Sequence, residues 1–304
     1  PRYFSSAASD VYKRQDFAGE GGMLWVKSRN NTSNENHTIV DTERPIKTGQ
    51  GGYPYLATNT NAVEQESGLG SFNSNGFTWI YGNNQYNGSL NYASWSFRKA
   101  PGFFDVVTYT GNGTAGRTIA HNLGSVPGMI IVKRLEVANY NWQLYHRSLG
   151  ATKYHDLNFA YTTRTASNRW NDTTPTDSVF TLGSGSQVND SGGEYVAYIF
   201  AHDDARFGAG GNESIIKCDE YTGTGNNGLT INVGFEPGWL LLKNTNSSSG
   251  DWRLMDNKRL NGLDSNSLRP NKPSNESTGQ LKFTSTGFVM TTSGSADYNT
   301  NGHK

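Results

Sequence analysis

The chain has 304 residues and carries 26 basic against 26 acidic side chains, so its formal charge is zero and no basic stripe is available to neutralise phosphates; this argues against a nucleic-acid partner. Its only cysteine, Cys218, rules out disulfides within the chain, and no run approaches the roughly 18–20 apolar residues of a membrane-crossing helix. Thirty-six glycines beside 7 Trp, 16 Tyr and 14 Phe suit turn-rich β modules with small aromatic cores.

Residues 1–15 match nothing later in the chain, lack the apolar core of a signal peptide and resemble translated adapter sequence, so they read as an unstructured or artefactual N-terminus. Residues 16–100 form a first unit that enters on Gly22-Met-Leu-Trp-Val-Lys27. The same glycine-to-lysine frame returns as Gly128–Lys133 in a second unit, 101–203, and as Gly238–Lys243 in a third, 204–304. A spacing of roughly a hundred residues marks a tandem repeat. The Ile130-Ile-Val132 run, apolar on both faces, predicts a central buried strand.

Other landmarks keep the same order. Phe104–Gly113 corresponds to Ile216–Gly225, which places Cys218 opposite Val106 and makes it a small buried hydrophobe rather than a reactive thiol. Trp142-Gln-Leu-Tyr145 corresponds to Trp252-Arg-Leu-Met255, and Phe77, Phe180 and Phe288 share one place in their units. Tyr92–Phe97 recurs as Tyr195–Phe200, whose Val196, Tyr198 and Phe200 alternate on one face as in a half-exposed strand. No stretch has capped helical periodicity. The expected fold is therefore all-β with little helix: tandem β-sandwiches of about a hundred residues, jelly-roll or immunoglobulin-like. Unit two has every landmark, unit one enters late and unit three lacks the last strand, so the polypeptide is expected to extend in both directions.

No constellation of catalytic residues emerges. The six histidines form no ligand-spaced pair, and alignment on Trp142 and Trp252 sets His146 opposite Asp256 and Asp41, an exchange that a catalytic role would not tolerate. Asp203 and Asp204 are sequence neighbours rather than opposed acids. Asn189–Glu194 lacks the spacing of a calcium loop, and the glycine-rich strings near Gly111 and Gly208 precede no helix. No catalytic residue, metal or cofactor is thus predicted. Asp41-Thr-Glu-Arg44 and Asp256-Asn-Lys-Arg259 read as Asp-held turns with a local ion pair; the sharper alternative is a contact to sugar or to an adjoining unit. Candidate binding residues are Trp79, Tyr81 and Trp170, aromatics outside the best-repeated strands and suited to a flat sugar platform.

Phe104–Gly113, Ala120-His-Asn-Leu-Gly124 with Pro127, Ile130–Arg134, Trp170-Asn171 with Thr174-Pro-Thr176, and Ser191-Gly-Gly193 before Tyr195–Tyr198 occur together. In that combination the chain resembles a repeat module of marine tailed-bacteriophage tail-fibre and virion structural proteins. The resemblance implies a virion-associated component of the distal tail that is not an enzyme. The expected partners are other virion or tail proteins, further copies of itself such as a trimer, and host surface glycan, with no nucleic acid and no membrane. It carries over no catalytic residue. The competing readings are an extracellular bacterial adhesin or carbohydrate-binding array and, behind it, a polysaccharide depolymerase, for which no clustered acid pair is available.

Overall fold

A computed structural model describes residues 16–30, 35–82, 85–262 and 264–304; the expectation for residues 1–15 lies outside them. The first unit contributes β1 (Gly22–Ser28), β2 (Thr38–Asp41), β3 (Pro54–Ala57), β4 (Gln65–Glu66), β5 (Leu69–Asn73), β6 (Gly76–Trp79) and β7 (Tyr92–Arg98). The second contributes β8 (Phe104–Thr110), β9 (Arg117–Ala120), β10 (Met129–Arg134), β11 (Gln143–His146), β12 (Lys153–Asp156), β13 (Arg164–Thr165), β14 (Val179–Leu182) and β15 (Glu194–Phe200). The third contributes β16 (Thr230–Asn232), β17 (Trp239–Leu242), β18 (Arg253–Asn261), β19 (Asp264–Leu268), β20 (Ser277–Thr278), β21 (Leu281–Thr284) and β22 (Gly287–Met290). Helix is confined, among the described residues, to single turns at Ser167–Trp170 and Ser186–Asn189.

Each unit has one main antiparallel sheet. The orders are β4-β3-β2-β1-β7, β13-β12-β11-β10-β15-β8 and β17-β18-β19-β20. The three glycine-to-lysine runs are β1, β10 and β17, and each pairs with the next strand in the same register: Met23 faces Asp41, Met129 faces His146 and Trp239 faces Asp256. Smaller sheets, β5-β6, β14-β9 and β16-β22-β21, accompany them.

β1 and β10 are buried on both faces because each face has its own apolar partner, whereas β17, an edge strand, is half-buried throughout. One face of β10 packs Ile130 and Val132 against Phe180 and Leu182 of the local small sheet. The opposite face sends Ile131 into a core that all three units share, together with Trp25 and Ile39 of the first and Trp252, Leu254 and Leu268 of the third. In β15, Val196, Tyr198 and Phe200 do share a face, which lies in that core, but Tyr195, Ala197 and Ile199 are buried as well. The half-exposed strand expected there is a fully buried one, since β14 and the Ser186–Asn189 turn cover its outer side.

A shared core changes the architecture from beads on a string to a propeller-like ring of small antiparallel sheets. Three equivalent backbone hydrogen bonds close it: Glu64 N–H donates to the Leu135 carbonyl (2.9 Å), Thr163 to Thr245 (2.9 Å) and Glu276 to Arg29 (3.0 Å). A second set of contacts repeats the cycle. Trp142 Nε1 donates to the Ala57 carbonyl at 3.0 Å and Trp252 Nε1 to the Asp156 carbonyl at 3.1 Å. At the same place in the first unit stands His37, buried and accepting from Trp25 Nε1 at 3.1 Å.

Candidate functional site

The three aromatics singled out as a sugar platform have different fates. Trp170 is only 2% exposed, because the one-turn helix folds its ring against Tyr145, with centroids 6.0 Å apart at 74°; it is core, and not available as a platform. Trp79 is half-buried and stacks on Tyr86 at 4.6 Å and 14°. Tyr81 is 45% exposed and follows the exposed Ile80. The Tyr81 hydroxyl lies 2.8 Å from the Ser67 carbonyl and 3.0 Å from Glu66 Oε1, which fixes the ring while leaving a face to solvent. Partial desolvation and the Glu66 contact push this phenol up to about 12, so it remains a neutral donor. The corner presents a half-exposed ring with a carboxylate and a carbonyl at its hydroxyl edge.

Where units meet, two polar networks repeat the same Asp-held turn and ion pair. Asp41 Oδ1 accepts from the Glu43 and Arg44 backbone N–H groups, and its Oδ2 accepts from Arg44 Nε and, at 2.7 Å, from the Tyr198 hydroxyl of the second unit. Asp256 Oδ1 accepts from the Lys258 and Arg259 N–H groups, and its Oδ2 from Arg259 Nε and, at 3.0 Å, from Trp95 Nε1 of the first unit. Glu64 and Glu276 complete the networks by pairing with Arg44 and Arg259. The Asp-held turns and ion pairs read in the sequence are present, but they are buried and join adjoining units. The corresponding positions in the second unit hold His146, Leu149 and Thr163, so this joint has no such network.

Three further sets of groups are structural. Lys27, Lys133 and Lys243 each send Nζ to the carbonyl of the following residue. Burial pushes each amine down to about 8; Lys27 and Lys133 are fully buried and Lys243 half-buried, and a triplicated amine bonded to backbone is scaffold rather than nucleophile. Asn189 and Asn299 are both fully buried; their Oδ1 atoms accept from Asn112 and Thr224 N–H at 2.9 and 2.8 Å, and their amides donate to loop carbonyls. The repeated Asn-x-x-Gly at 189–192 and 299–302 was a visible signal for this role. Asp190, in the same loop, is held by Arg134 at 2.7 Å. Asp203 and Asp204 diverge to Lys217 and Arg206. Burial pushes the Cys218 thiol up to about 12. Among the described residues no group of His, Cys, Asp or Glu could hold a metal ion, and no helix is long and apolar enough to cross a membrane.

Two histidines give the fold an acid limb. Burial, reinforced by nearby cations, lowers His155 to about 3 and His146 to about 4. His155 is 2% exposed, its Nε2 lies 3.1 Å from Thr163 Oγ1, and its ring meets Trp252 edge-on. Both are neutral when folded and bind protons more readily when unfolded, so their contribution is complete above pH ~6.5 and is lost as pH falls towards the folded values. Urea unfolding between pH 6.5 and 4 is expected to show stability dropping by about 1.4 kcal/mol per pH unit for each histidine. His155→Gln should flatten that slope, and an unchanged slope would remove His155 from the account.

No curated protein and no solved structure matches the chain. Residues 15–304, nearly its whole length, match a single family, and the chain belongs to it: the family described as a domain of unknown function (DUF7483).

Proposed function

We propose that this chain is a non-enzymatic structural and adhesive module of a phage tail fibre or another virion protein, which assembles with other tail proteins and with further copies of itself as a trimer. The observation that carries the reading is ring closure. The recurring residues serve the scaffold: Lys27, Lys133 and Lys243 bond the backbone beside them, while the Asp–Arg turns and the tryptophans Trp142 and Trp252 span joints. The resemblance of Phe104–Gly113, Ile130–Arg134 and Tyr195–Tyr198 to the phage repeat module supports the setting. In fold terms, each main sheet with the small sheet on its outer face is read as a two-layer unit of β-sandwich type.

Contact with the host is assigned to the Tyr81 corner, where a weak sugar contact would be multiplied by the copies on a fibre. On an array of bacterial surface polysaccharides, the protein is expected to bind a subset, and Tyr81→Ala to weaken retention roughly tenfold, as for loss of one stacking anchor. Absence of binding by the parent protein would remove the adhesive part of the proposal, and release of reducing ends would overturn its non-enzymatic part. The virion setting is tested by the neighbouring genes: capsid, baseplate or terminase genes support it, whereas a secretion or cell-wall anchoring signal would move the reading to a bacterial adhesin.

A further inference from the structure

A cleft of 540 Å³ opens beside β17 and draws its apolar lining from all three units, including Phe97, Met129, Leu144, Phe200, Trp239 and Leu241. Its position follows from the pairing. β1 is flanked by β2 and β7, and β10 by β11 and β15, whereas β17 is paired on one side only, with β18. Trp239–Leu242 are accordingly half-buried throughout, while every residue of β1 and β10 is buried. A Cβ added at Gly22 would strike the Phe97 carbonyl of β7 at 2.2 Å; at Gly238 it would meet nothing within 4 Å. On the far side of the cleft, Ile216–Tyr221 corresponds to Phe104–Tyr109 of β8 yet forms no strand.

The approach to the cleft is already built as the start of a strand. Gly192 and Gly302 have the same left-handed turn, with φ of 78° and 73°. Gly111 N–H donates to Gly193 and Gly223 N–H to His303, both at 2.7 Å. Leu135 N–H donates to the carbonyl of Glu194, the first residue of β15, at 2.9 Å, and Thr245 N–H donates to Lys304 at 2.7 Å. Lys304 therefore stands where Glu194 stands, with the first rung against the third unit formed and its backbone directed along the open edge of β17.

We propose that this cleft is a strand-acceptor slot, filled by an extended segment in continuation of Lys304 that runs antiparallel to β17, between it and Ile216–Tyr221, with apolar side chains at its second, fourth and sixth positions. Main-chain hydrogen bonds to β17 hold the segment, and alternate side chains entering the cleft select its sequence and register. The corresponding positions of β7 and β15 hold Ala93, Trp95 and Phe97, and Val196, Tyr198 and Phe200, all in the shared core. The fourth position distinguishes the slot. Trp95 and Tyr198 meet a buried Asp–Arg pair there, but in the slot that position faces His146 and Leu149, which line the cleft. An aromatic ring with no polar donor, such as Phe, therefore serves there as well as Tyr does.

The test extends the full chain after Lys304 by a copy of Tyr195–Ala201. A second extension has phenylalanine at the fourth position, and a third has serine at the second, fourth and sixth. The first two are expected to raise the Tm equally and to slow hydrogen exchange across Trp239–Leu242 by about tenfold or more, since a paired strand exchanges only on wider opening. The serine extension should leave both readings at the values of the parent chain. The proposal is overturned if the first extension leaves Tm and exchange unchanged, if the serine extension protects equally, or if protection appears only in a dimer on size exclusion, which would make the occupant a strand of a second copy.

Discussion

Trp142→Ala is expected to lower the unfolding free energy by about 5 kcal/mol and to do so for all three units at once. The indole is fully buried in the shared core, stacks on Tyr198 with centroids 6.3 Å apart, and donates to the Ala57 carbonyl of the first unit. Truncating a buried Trp to Ala costs about 3–5 kcal/mol through lost transfer energy and the cavity left behind, and loss of the indole hydrogen bond adds about 1. That total is comparable with the whole stability of an ordinary domain. Because the core belongs jointly to β1, β10 and β18, the loss cannot be confined to the second unit. Urea unfolding followed by far-UV circular dichroism should remain a single transition at a lower midpoint, and hydrogen exchange should accelerate in β2 and β18 alongside β10. Two separate transitions, with β18 keeping its parent protection, would show that the units fold independently and that the ring is not a cooperative body.

That prediction turns on the ring, which the sequence did not reveal. The Ile130–Val132 run of β10 was legible as a central strand because consecutive apolar residues leave neither face for water. The same pattern cannot say what covers each face. A sandwich would cover one face with its own second sheet and expose the other, whereas here the second face is covered by two neighbouring units. The clue lay in β15, where residues on both faces are apolar or aromatic, but alternation of Val196, Tyr198 and Phe200 alone is also satisfied by a half-exposed strand. Trp170 shows a different limit. It lies outside the repeated strands, and a one-turn helix that folds it back on Tyr145 is too short to leave a periodic signature.

The site was legible in proportion to how local its chemistry is. Asp41-x-x-Arg44 and Asp256-x-x-Arg259 could be read as turns because an Asp side chain accepts from backbone N–H groups two and three residues on, and these bonds are present. Their aromatic partners could not, since Trp95 and Tyr198 are brought in by the closure of the ring. The exchange of Asp for His at position 146 was visible in the sequence. Its structural meaning, a joint without an ion pair facing the cleft beside β17, required the register of β10 with β11.

The Asp256–Arg259 pair is the joint at which that coupling should be measured. Both side chains are under a tenth exposed, the guanidinium stacks over the Trp95 ring at 5.1 Å, and Glu276 binds its other edge. Arg259→Met leaves Asp256 buried with only Trp95 Nε1 and two backbone N–H groups to stabilise it, and is expected to cost about 3–4 kcal/mol. Asp256→Asn keeps an acceptor for the turn but leaves the guanidinium facing Glu276 alone, for a similar loss. The double variant should be less destabilised than the sum of the two by about 2 kcal/mol, because each single change strands a buried charge that the other removes. Burial alone would raise the Asp256 carboxyl, but Arg259 and the backbone donors hold it below the usual carboxylate range. Its contribution is therefore present above pH ~4 and is lost as pH falls through the folded value, so the coupling measured at pH 7 should shrink in acid. Strict additivity at pH 7 would mean that the pair is no more than a solvated contact, and the joint would then rest on its other bonds, among them Glu276 N–H to the Arg29 carbonyl and the Arg29–Glu276 ion pair.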